Sequence, residues 1–303
     1  MQVDVQNLDK HFKKIHAVNN LSFTVEPGRV TGFLGPNGSG KSTTMRLMLG
    51  LDRGEGQTLF DGQKLTDYSQ TTRVVGAHLD AKFFHPKRSA YAHLRMLGAE
   101  AGVTKSRVDE VLELVGLGEV KKKKPGGFSL GMGQRLGLAG AILADPQVLM
   151  LDEPANGLDP QSIQWMRDFL RYYAGLGRTV LVSSHLLSEM QLMADDVVVI
   201  AKGSLIAAEN MNDFLARSAT SKVKVRTNDS RKLAQALTDQ GLTLTVNPDA
   251  SLSVSESTTD RIGNIAFAAG VPLLELSMEQ ASLEQVFLEL TDEHQQYRVG
   301  GNA

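Results

Sequence analysis

The sequence predicts an α/β domain with a largely parallel sheet, followed by a smaller α+β domain. Three segments rich in β-branched and leucine residues, "QVLMLDEP", "TVLVSSH" and "DVVVIAKGSLIAAE", are separated by stretches of helical periodicity, which is the pattern of a sheet covered by helices. A glycine-rich loop at residues 35–40 lies between an apolar strand and a helix. The pattern changes near residue 218, where shorter strands and helices alternate.

The composition is that of an ordinary globular protein. The 303 residues are 42% hydrophobic and 22% charged, with a formal net charge of −2, so the chain lacks the overall basic charge that attracts nucleic acid. It has no cysteine, which excludes disulfides and thiolate metal sites. No apolar run reaches the roughly 20 residues that cross a bilayer, so we expect membrane contact only through a partner.

The first 135 residues predict a strand-rich subdomain and an inserted helical arm. Residues 3–34 contain the strand segments "VDVQNL", "LSFTVE" and "RVTGFLG". Residues 85–124 predict two helices with Ser89 and Thr104 as their N-caps. We expect the arm to span about residues 85–135 of a nucleotide-binding domain that covers 1–215.

The C-terminal part predicts a separate, ferredoxin-like domain. Residues 222–291 have the order strand, helix, strand, strand, helix, strand, which is that of the split βαβ unit. Residues 216–221 form the predicted linker, and the polar tail 292–303 is expected to fray. We find no metal-ligand cluster, nucleophile or glycine-rich loop in this domain. A packing or dimer-stabilising role is therefore favoured over binding of a regulatory ligand or contact with a partner protein.

The loop "GPNGSGKS" matches the phosphate-binding pattern G-x-x-x-x-G-K-[ST] in the strand–loop–helix context that the pattern requires. Its glycines let backbone N–H groups surround the phosphates. Lys41 would neutralise the β- and γ-phosphates, and Ser42 would ligate Mg²⁺. The predicted nucleotide-binding residues here are Gly35, Pro36, Asn37, Gly38, Ser39, Gly40, Lys41, Ser42 and Thr43.

Two carboxylates follow the apolar strand "VLML". Alone, Asp152 and Glu153 could simply end the strand in solvent. Beside a phosphate-binding loop, Asp152 is the expected acid on the Mg²⁺ side, and Glu153 is placed to polarise an attacking water as a general base. Two consecutive acids favour hydrolysis over kinase chemistry.

A histidine ends the strand segment "LVSSH". A lone histidine is more often a structural residue than a functional one. Ligands of open α/β sheets, however, bind at the carboxyl ends of the strands. We therefore predict that His185 contacts the γ-phosphate and takes part in catalysis.

Together these motifs resemble the ATP-binding cassette (ABC) family, the nucleotide-binding subunits of transporters. The resemblance covers about residues 1–215, with the motifs in the family's order and spacing. It implies ATP and Mg²⁺ as ligands. It also implies that "FSLGM" at residues 128–132 is the signature loop, whose Ser129 and Gly131 contact the ATP bound to a second copy of the chain. Two copies would then pack head to tail as a homodimer.

The same resemblance assigns further residues. Phe12 matches the aromatic residue that stacks on adenine, His185 matches the switch histidine, and the helical arm matches the part that engages the permease. The loop Asn156–Asp159 matches the segment that crosses the dimer interface, with Asp159 among the nucleotide contacts. An acid, Asp80, stands where the family has a glutamine near Mg²⁺. The predicted metal ligands are Ser42, Asp152 and Asp80.

Three departures from the family pattern are present. The usual signature is Leu-Ser-Gly-Gly-Gln, but Ser129 and Gly131 keep the residues expected to touch phosphate. Phe12 has the aromatic face of the usual tyrosine without its hydroxyl. This signature, combined with an acid at residue 80, resembles the subgroup that serves antibiotic, bacitracin-like and lantibiotic exporters. The segment "LEQVFLELT" resembles the ending of drug-exporting cassette ATPases.

The resemblance therefore predicts the ATPase subunit of an exporter, bound to separate ABC-2 type permease subunits at the cytoplasmic face of the membrane. A soluble cassette ATPase acting on nucleic acid or ribosomes is the alternative. Such proteins usually have two cassettes or a long coiled coil, whereas this chain has one phosphate-binding loop and no sustained heptads. A P-loop kinase or GTPase is disfavoured by the signature loop.

Overall fold

The computed structural model describes residues 1–80, 84–216, 222–255, 257–279 and 282–288. It divides into two compact units, with the boundary after Asn210. Residues 217–221 of the predicted linker and the whole of the predicted tail lie outside the described residues. None of the helices in the described ranges is both long enough and apolar enough to cross a membrane.

The first unit contains ten strands and seven α-helices among its described residues. The strands are β1 (Val3–Phe12), β2 (Ile15–Val25), β3 (Val30–Leu34), β4 (Glu55–Phe60), β5 (Gln63–Lys64), β6 (Val75–His78), β7 (Val148–Asp152), β8 (Thr179–Ser184), β9 (Asp196–Ala201) and β10 (Ser204–Asn210). The helices are α1 (Lys41–Met48), α2 (Thr71–Val74), α3 (Ala90–Leu97), α4 (Lys105–Leu114), α5 (Leu130–Ala141), α6 (Pro160–Gly175) and α7 (Leu187–Met193).

The strands form two sheets. An antiparallel sheet has the order β2-β1-β4-β5 and corresponds to the predicted strand-rich subdomain. A six-stranded sheet has the order β10-β9-β3-β8-β7-β6, in which only β10 runs antiparallel to its neighbour. The interior strands β3 and β8 are buried along their whole length, because helices and the other sheet cover both faces of a parallel sheet.

The register of the central sheet brings several strand ends to one edge. Leu34 at the end of β3 pairs with Ser184 in β8, and Asp152 at the end of β7 pairs with Ser183 in β8. The loops that follow β3, β7 and β8 therefore start from the same edge, where ligands of open α/β sheets bind.

Helix α1 anchors this edge to the core. Its Met45 and Met48 belong to one buried cluster with residues of both sheets, among them Phe23 of β2 and Phe33 of β3. The helix begins directly at Lys41, so the apolar contacts of its later turns fix the position of the preceding loop.

The predicted arm consists of α3, α4 and α5. The hydroxyl of Ser89 accepts a hydrogen bond from the backbone N–H of Ala92 at 3.2 Å, and that of Thr104 accepts one from Arg107 at 3.2 Å. Both predicted N-caps are therefore confirmed. Helix α5 contacts α3, α4 and β6 and continues to Ala141, six residues beyond the predicted end of the arm.

The second unit has the predicted ferredoxin-like order. It contains α8 (Met211–Ala216), β11 (Lys222–Thr227), α9 (Ser230–Asp239), β12 (Leu244–Val246), β13 (Leu252–Ser255), α10 (Thr259–Ala268) and β14 (Leu273–Glu279). The sheet is antiparallel with the order β12-β13-β11-β14. Leu233 of α9 and Ile262 of α10 are fully buried against it. Residues 283–288 are helical.

Candidate nucleotide-binding site

The loop between β3 and α1 leaves no room for a Cβ atom at two of its glycines. Gly40 has φ +106°, and a Cβ atom there would lie 2.4 Å from the carbonyl oxygen of Ala17. A Cβ atom on Gly35 would lie 2.5 Å from the carbonyl oxygen of Ile200. At Gly38, with φ +78°, a Cβ atom would meet nothing within 4 Å. The loop is therefore pressed against the core on one side and open on the other.

Lys41 is the buried cation of this loop. Its side chain is 7% exposed, and Nζ donates a hydrogen bond to the carbonyl oxygen of Gly35 at 2.7 Å. The ammonium lies 3.6 Å from Oε1 of Glu153. A phosphate oxygen would bind this ammonium more strongly than a neutral carbonyl does, because hydrogen bonds between charged partners are about twice as strong.

Glu153 links the phosphate-binding loop to the end of β8. Its Oε2 atom lies 2.6 Å from Nδ1 of His185, and it also accepts the backbone N–H of His185 at 3.3 Å. Lys41, Glu153 and His185 thus form one continuous chain of charged and polar groups. Glu153 has φ +50°. This left-handed backbone conformation raises the energy of a non-glycine residue by about 1–3 kcal/mol, and residues that adopt it cluster at functional sites.

Asp152 and Glu153 share a contact that the sequence analysis missed. The hydroxyl of Ser183 donates a hydrogen bond to Oδ1 of Asp152 and accepts one from the backbone N–H of Glu153 at 3.0 Å. Ser183 is fully buried. A hydroxyl in the otherwise apolar segment "TVLVSS" was the signal that could have identified it, because buried polar groups need partners.

Asp80 lies two residues beyond β6, the strand next to β7, at the same edge of the sheet as Asp152. His78 at the end of β6 is 4% exposed, and its Nε2 atom lies 2.7 Å from Oε1 of Gln134 in α5. Burial lowers the pKa of His78, so the ring is neutral at pH 7 and donates its Nε2 proton to the glutamine oxygen. This bond ties the segment before Asp80 to α5.

The predicted signature loop forms the start of α5. The hydroxyl of Ser129 caps the helix by accepting the backbone N–H of Met132 at 3.2 Å. A Cβ atom on Gly131 would meet Oγ of Ser162 at 3.3 Å and Cδ2 of Leu158 at 3.6 Å. Ser129 and Gly131 are therefore placed beside the start of α6.

Asp159 caps that neighbouring helix. Its Oδ1 atom accepts the backbone N–H of Ser162 at 2.9 Å, and Oδ2 accepts the hydroxyl of Ser162 at 3.1 Å. These bonds hold the pKa of the Asp159 carboxyl below its usual value. Its position in the interface-crossing loop remains a prediction from the resemblance.

Phe12 lies at the end of β1 and is 47% exposed. The ammonium of Lys10 lies 4.9 Å from the centre of its ring. Phe12 is thus partly open to solvent, with Lys10 over its ring, and its stacking on adenine remains a prediction from the resemblance.

The residues at the sheet edge also fit the predicted ions. Ser42, in the first turn of α1, is exposed. The hydroxyl of Ser42 and the carboxylates of Asp152 and Asp80 are hard oxygen donors, which suit Mg²⁺. The glycine-rich loop of residues 35–40 leaves the same edge, and the backbone N–H groups of such loops are well suited to bind an anion.

A glycine-rich loop before α1, a buried lysine and paired carboxylates at the ends of parallel strands define a P-loop nucleotide-binding protein. The ABC transporter family model matches residues 18–156. A domain of unknown function (DUF8746) matches residues 221–284.

Relatives match over nearly the whole chain. The uncharacterized ABC transporter ATP-binding protein YhcH of Bacillus subtilis is 37% identical over 96% of each chain. The bacitracin transport ATP-binding protein BcrA of Bacillus licheniformis is 33% identical over 95% of this chain and 96% of its own. The chain belongs to the ATP-binding proteins of ABC transporters, and it is an ATPase that binds and hydrolyses ATP.

A solved structure described as the ATP-binding subunit of an ABC transporter superposes with a TM-score of 0.65 at 24% identity. The superposed region covers 72% of this chain and 93% of the solved chain. At this level of identity the likeness shows the fold, and it confirms the predicted ABC ATPase core.

Proposed function

We propose that two copies of this chain close head to tail around two ATP molecules and drive export through separate ABC-2 type permease subunits. The proposal rests on the presence of two candidate phosphate-binding segments in one chain, the glycine-rich loop before α1 and the signature loop at the start of α5. Lys41 and Glu153 lie at the edge of the central sheet, whereas Ser129 and Gly131 lie at the start of α5 beside α6. The second segment is then free to bind the ATP held by the other copy.

Glu153 is the proposed general base. Its Oε2 atom is held by His185 at 2.6 Å, and its Oε1 atom faces the ammonium of Lys41 at 3.6 Å. When the γ-phosphate binds Lys41, Oε1 becomes able to accept a proton from a water molecule. His185 keeps the carboxylate oriented during this step, and its own position at the strand end suits contact with the phosphate.

Mg²⁺ would be held by the hydroxyl of Ser42 and the carboxylates of Asp152 and Asp80. It would supply positive charge against the phosphate oxygens. Ser183 holds Oδ1 of Asp152, so the remaining oxygen, Oδ2, is free to face the ion. The adenine ring would stack on Phe12.

Closure of the dimer follows from differential affinity. In the closed dimer, Ser129 of one copy would contact the γ-phosphate of the ATP bound to the other copy. The open state lacks this contact. ATP therefore stabilises the closed state, and hydrolysis removes the contact and reopens the dimer.

Export and membrane location are supported by relatives and by the arm. BcrA is named as a transport protein for bacitracin, and it aligns over almost the full length of this chain. A cleft of about 500 Å³ opens between β6 and the arm, lined by His93, Leu97 and Leu136. This cleft is the proposed seat for a cytoplasmic segment of the permease, which would hold the chain at the cytoplasmic face of the membrane.

The mass of Glu153→Gln in solution, measured by light scattering with and without Mg-ATP, tests the dimer and the role of Glu153 together. We expect a monomer without nucleotide and a stable dimer with Mg-ATP, and an ATPase rate lowered by about 10²-fold or more. Glu100→Gln, an exposed residue of the arm, is the matched control and should hydrolyse ATP at the normal rate. A monomer under ATP-saturated conditions, with binding verified by equilibrium dialysis, would contradict the dimer proposal.

A further inference from the structure

Outside the nucleotide site, three side chains with metal-ligating atoms meet on the hairpin of β1 and β2. They are Asp9, His11 and His16, each with a ligand atom within 4.8 Å of the others. Asp9 and His11 lie two residues apart on β1, where the pairing with β2 is irregular around Lys10. His11 pairs directly with His16 across the hairpin, which places both rings on the same face of the sheet.

The two imidazoles converge on one carboxylate. Nε2 of His16 lies 2.8 Å from Oδ2 of Asp9, and Nε2 of His11 lies 3.5 Å from Oδ1. The rings stack with centroids 3.8 Å apart and planes at 18°. In a tetrahedral zinc site with bonds of about 2.0–2.1 Å, neighbouring ligand atoms are about 3.3 Å apart. The two nitrogen–oxygen separations lie on either side of that value, but they involve different oxygens of Asp9. Because imidazole binds a metal in the plane of its ring, two stacked rings cannot both face one ion, so at least one histidine has to turn out of the stack when an ion binds.

The surroundings of the cluster suit a cation. The backbone N–H of Asn20 donates to Oδ2 of Asp9 at 3.1 Å, and such outer hydrogen bonds orient metal-ligating carboxylates. The nearest cation in the sequence, Lys10, points away, since its ammonium donates to the carbonyl oxygen of Arg53 and lies over Phe12. His11 is exposed and His16 is one-third exposed, so an ion can reach the cluster from solvent.

We propose that Asp9, His11 and His16 bind a divalent transition-metal ion, with Zn²⁺ as the best fit. Two neutral imidazoles and one carboxylate are a common zinc ligand set, and a water molecule would complete the tetrahedron. The ion would cross-link β1 to β2 and fix the end of the hairpin that bears Phe12. The metal site does not depend on the proposed function. Only an effect of the metal on adenine binding through Phe12 would rest on that function.

Zinc titration of the nucleotide-free full-length chain, without a histidine tag, tests the site by calorimetry. We expect one equivalent of Zn²⁺ to bind to the unmodified protein and none to the double variant His11→Ala/His16→Ala. His85→Ala removes another exposed histidine and His185→Ala removes the one at the nucleotide site, and both should keep the single equivalent. Titration with Co²⁺ should give the visible absorption of four-coordinate cobalt, and Asp9→Asn should abolish it.

Equal zinc binding by the double variant and the unmodified protein would overturn the proposal, as would no binding to the unmodified protein. In EDTA, the double variant and the unmodified protein should unfold at the same thermal midpoint. This measurement distinguishes a variant that has lost the metal ligands from one that has lost its fold. Added Zn²⁺ should raise the midpoint of the unmodified protein only, because a ligand that binds the folded state stabilises it. ATP affinity is measured separately on zinc-free protein, so failure of the nucleotide proposal leaves this test intact.

Discussion

Ser183 lies directly across from Asp152 in the parallel register of β7 and β8, and its hydroxyl donates to Oδ1 of that carboxylate. The same hydroxyl accepts the backbone N–H of the next residue, Glu153. One buried serine therefore positions both acids that the proposed mechanism uses.

Replacement of Ser183 by alanine should lower kcat by about tenfold while leaving the affinity for ATP within about twofold, because supporting contacts of this kind are typically worth 10–100-fold. Steady-state kinetics and nucleotide binding measure the two effects. Ser184→Ala is the control, since the neighbouring hydroxyl accepts the N–H of Leu186 and contacts neither acid. An equal loss of kcat in both variants would mean that strand packing, rather than the contact with the acids, is responsible.

Ser129 and Ser89 offer a matched pair for the signature loop. Both hydroxyls cap a helix of the arm at 3.2 Å, so each change to alanine should lower the free energy of unfolding by about 0.5–2 kcal/mol. Only Ser129→Ala should also weaken the ATP-dependent dimer, measured by light scattering in the Glu153→Gln background. If Ser89→Ala weakens the dimer as much, the effect comes from the stability of the arm.

The acid at residue 80 predicts a specific dependence on Mg²⁺. Asp80→Ala should raise the Mg²⁺ concentration for half-maximal ATPase activity by about tenfold, as expected for loss of one contact near the ion. Asp80→Gln, which installs the family's usual residue, should restore most of the affinity. Asp168→Ala removes an exposed acid of α6 as the control. An unchanged Mg²⁺ titration in Asp80→Ala would remove Asp80 from the proposed ligands.

Buried histidines predict a loss of stability in mild acid. Burial lowers the pKa of His78 in the folded protein, and burial together with nearby positive charge does the same for His93. As the pH falls below about 6.5, the unfolded chain binds protons that the folded chain does not, so the free energy of unfolding decreases. The carboxyls of Asp145 and Asp159, whose pKa values are also lowered, titrate below this range.

Urea unfolding at pH 7.5 and pH 5.5, followed by the fluorescence of Trp165, measures this effect in the first unit. Trp165 is the one tryptophan of the sequence. The unmodified protein should be less stable at pH 5.5, and His78→Asn should show a smaller difference between the two pH values. An identical difference in the variant would mean that His78 does not contribute.

Short sequence patterns could predict the central residues of the site because each of these residues belongs to a motif that is contiguous in sequence. The phosphate-binding loop and the pair Asp152 and Glu153 each follow a strand, and parallel strands bring their ends together. The hairpin at Lys13 was not predicted, because its turn lacks the usual glycine or asparagine and is made by a lysine at φ +51°.

Contacts between distant segments could not be predicted. Ser183 reaches Asp152 only through the register of two strands 31 residues apart in sequence, and Gln134 reaches His78 only through the placement of α5 on β6, 56 residues away. A single sequence fixes neither register nor helix position. The roles assigned to Phe12, His185 and Asp159 remain predictions.

The adjacent caps of α5 and α6 have nearly the same backbone geometry but opposite electrical consequences. Asp159 places a full negative charge at the start of α6, which offsets the partial positive charge of that helix end. The neutral Ser129 leaves the partial positive charge at the start of α5 uncompensated by its own helix, because the first turn of α5 contains no acid. Of these two adjacent helix ends, the start of α5 is therefore the one whose own cap does not repel an approaching anion. Because neither the serine hydroxyl nor the peptide dipoles titrate, this property of the α5 end does not depend on pH while the chain is folded.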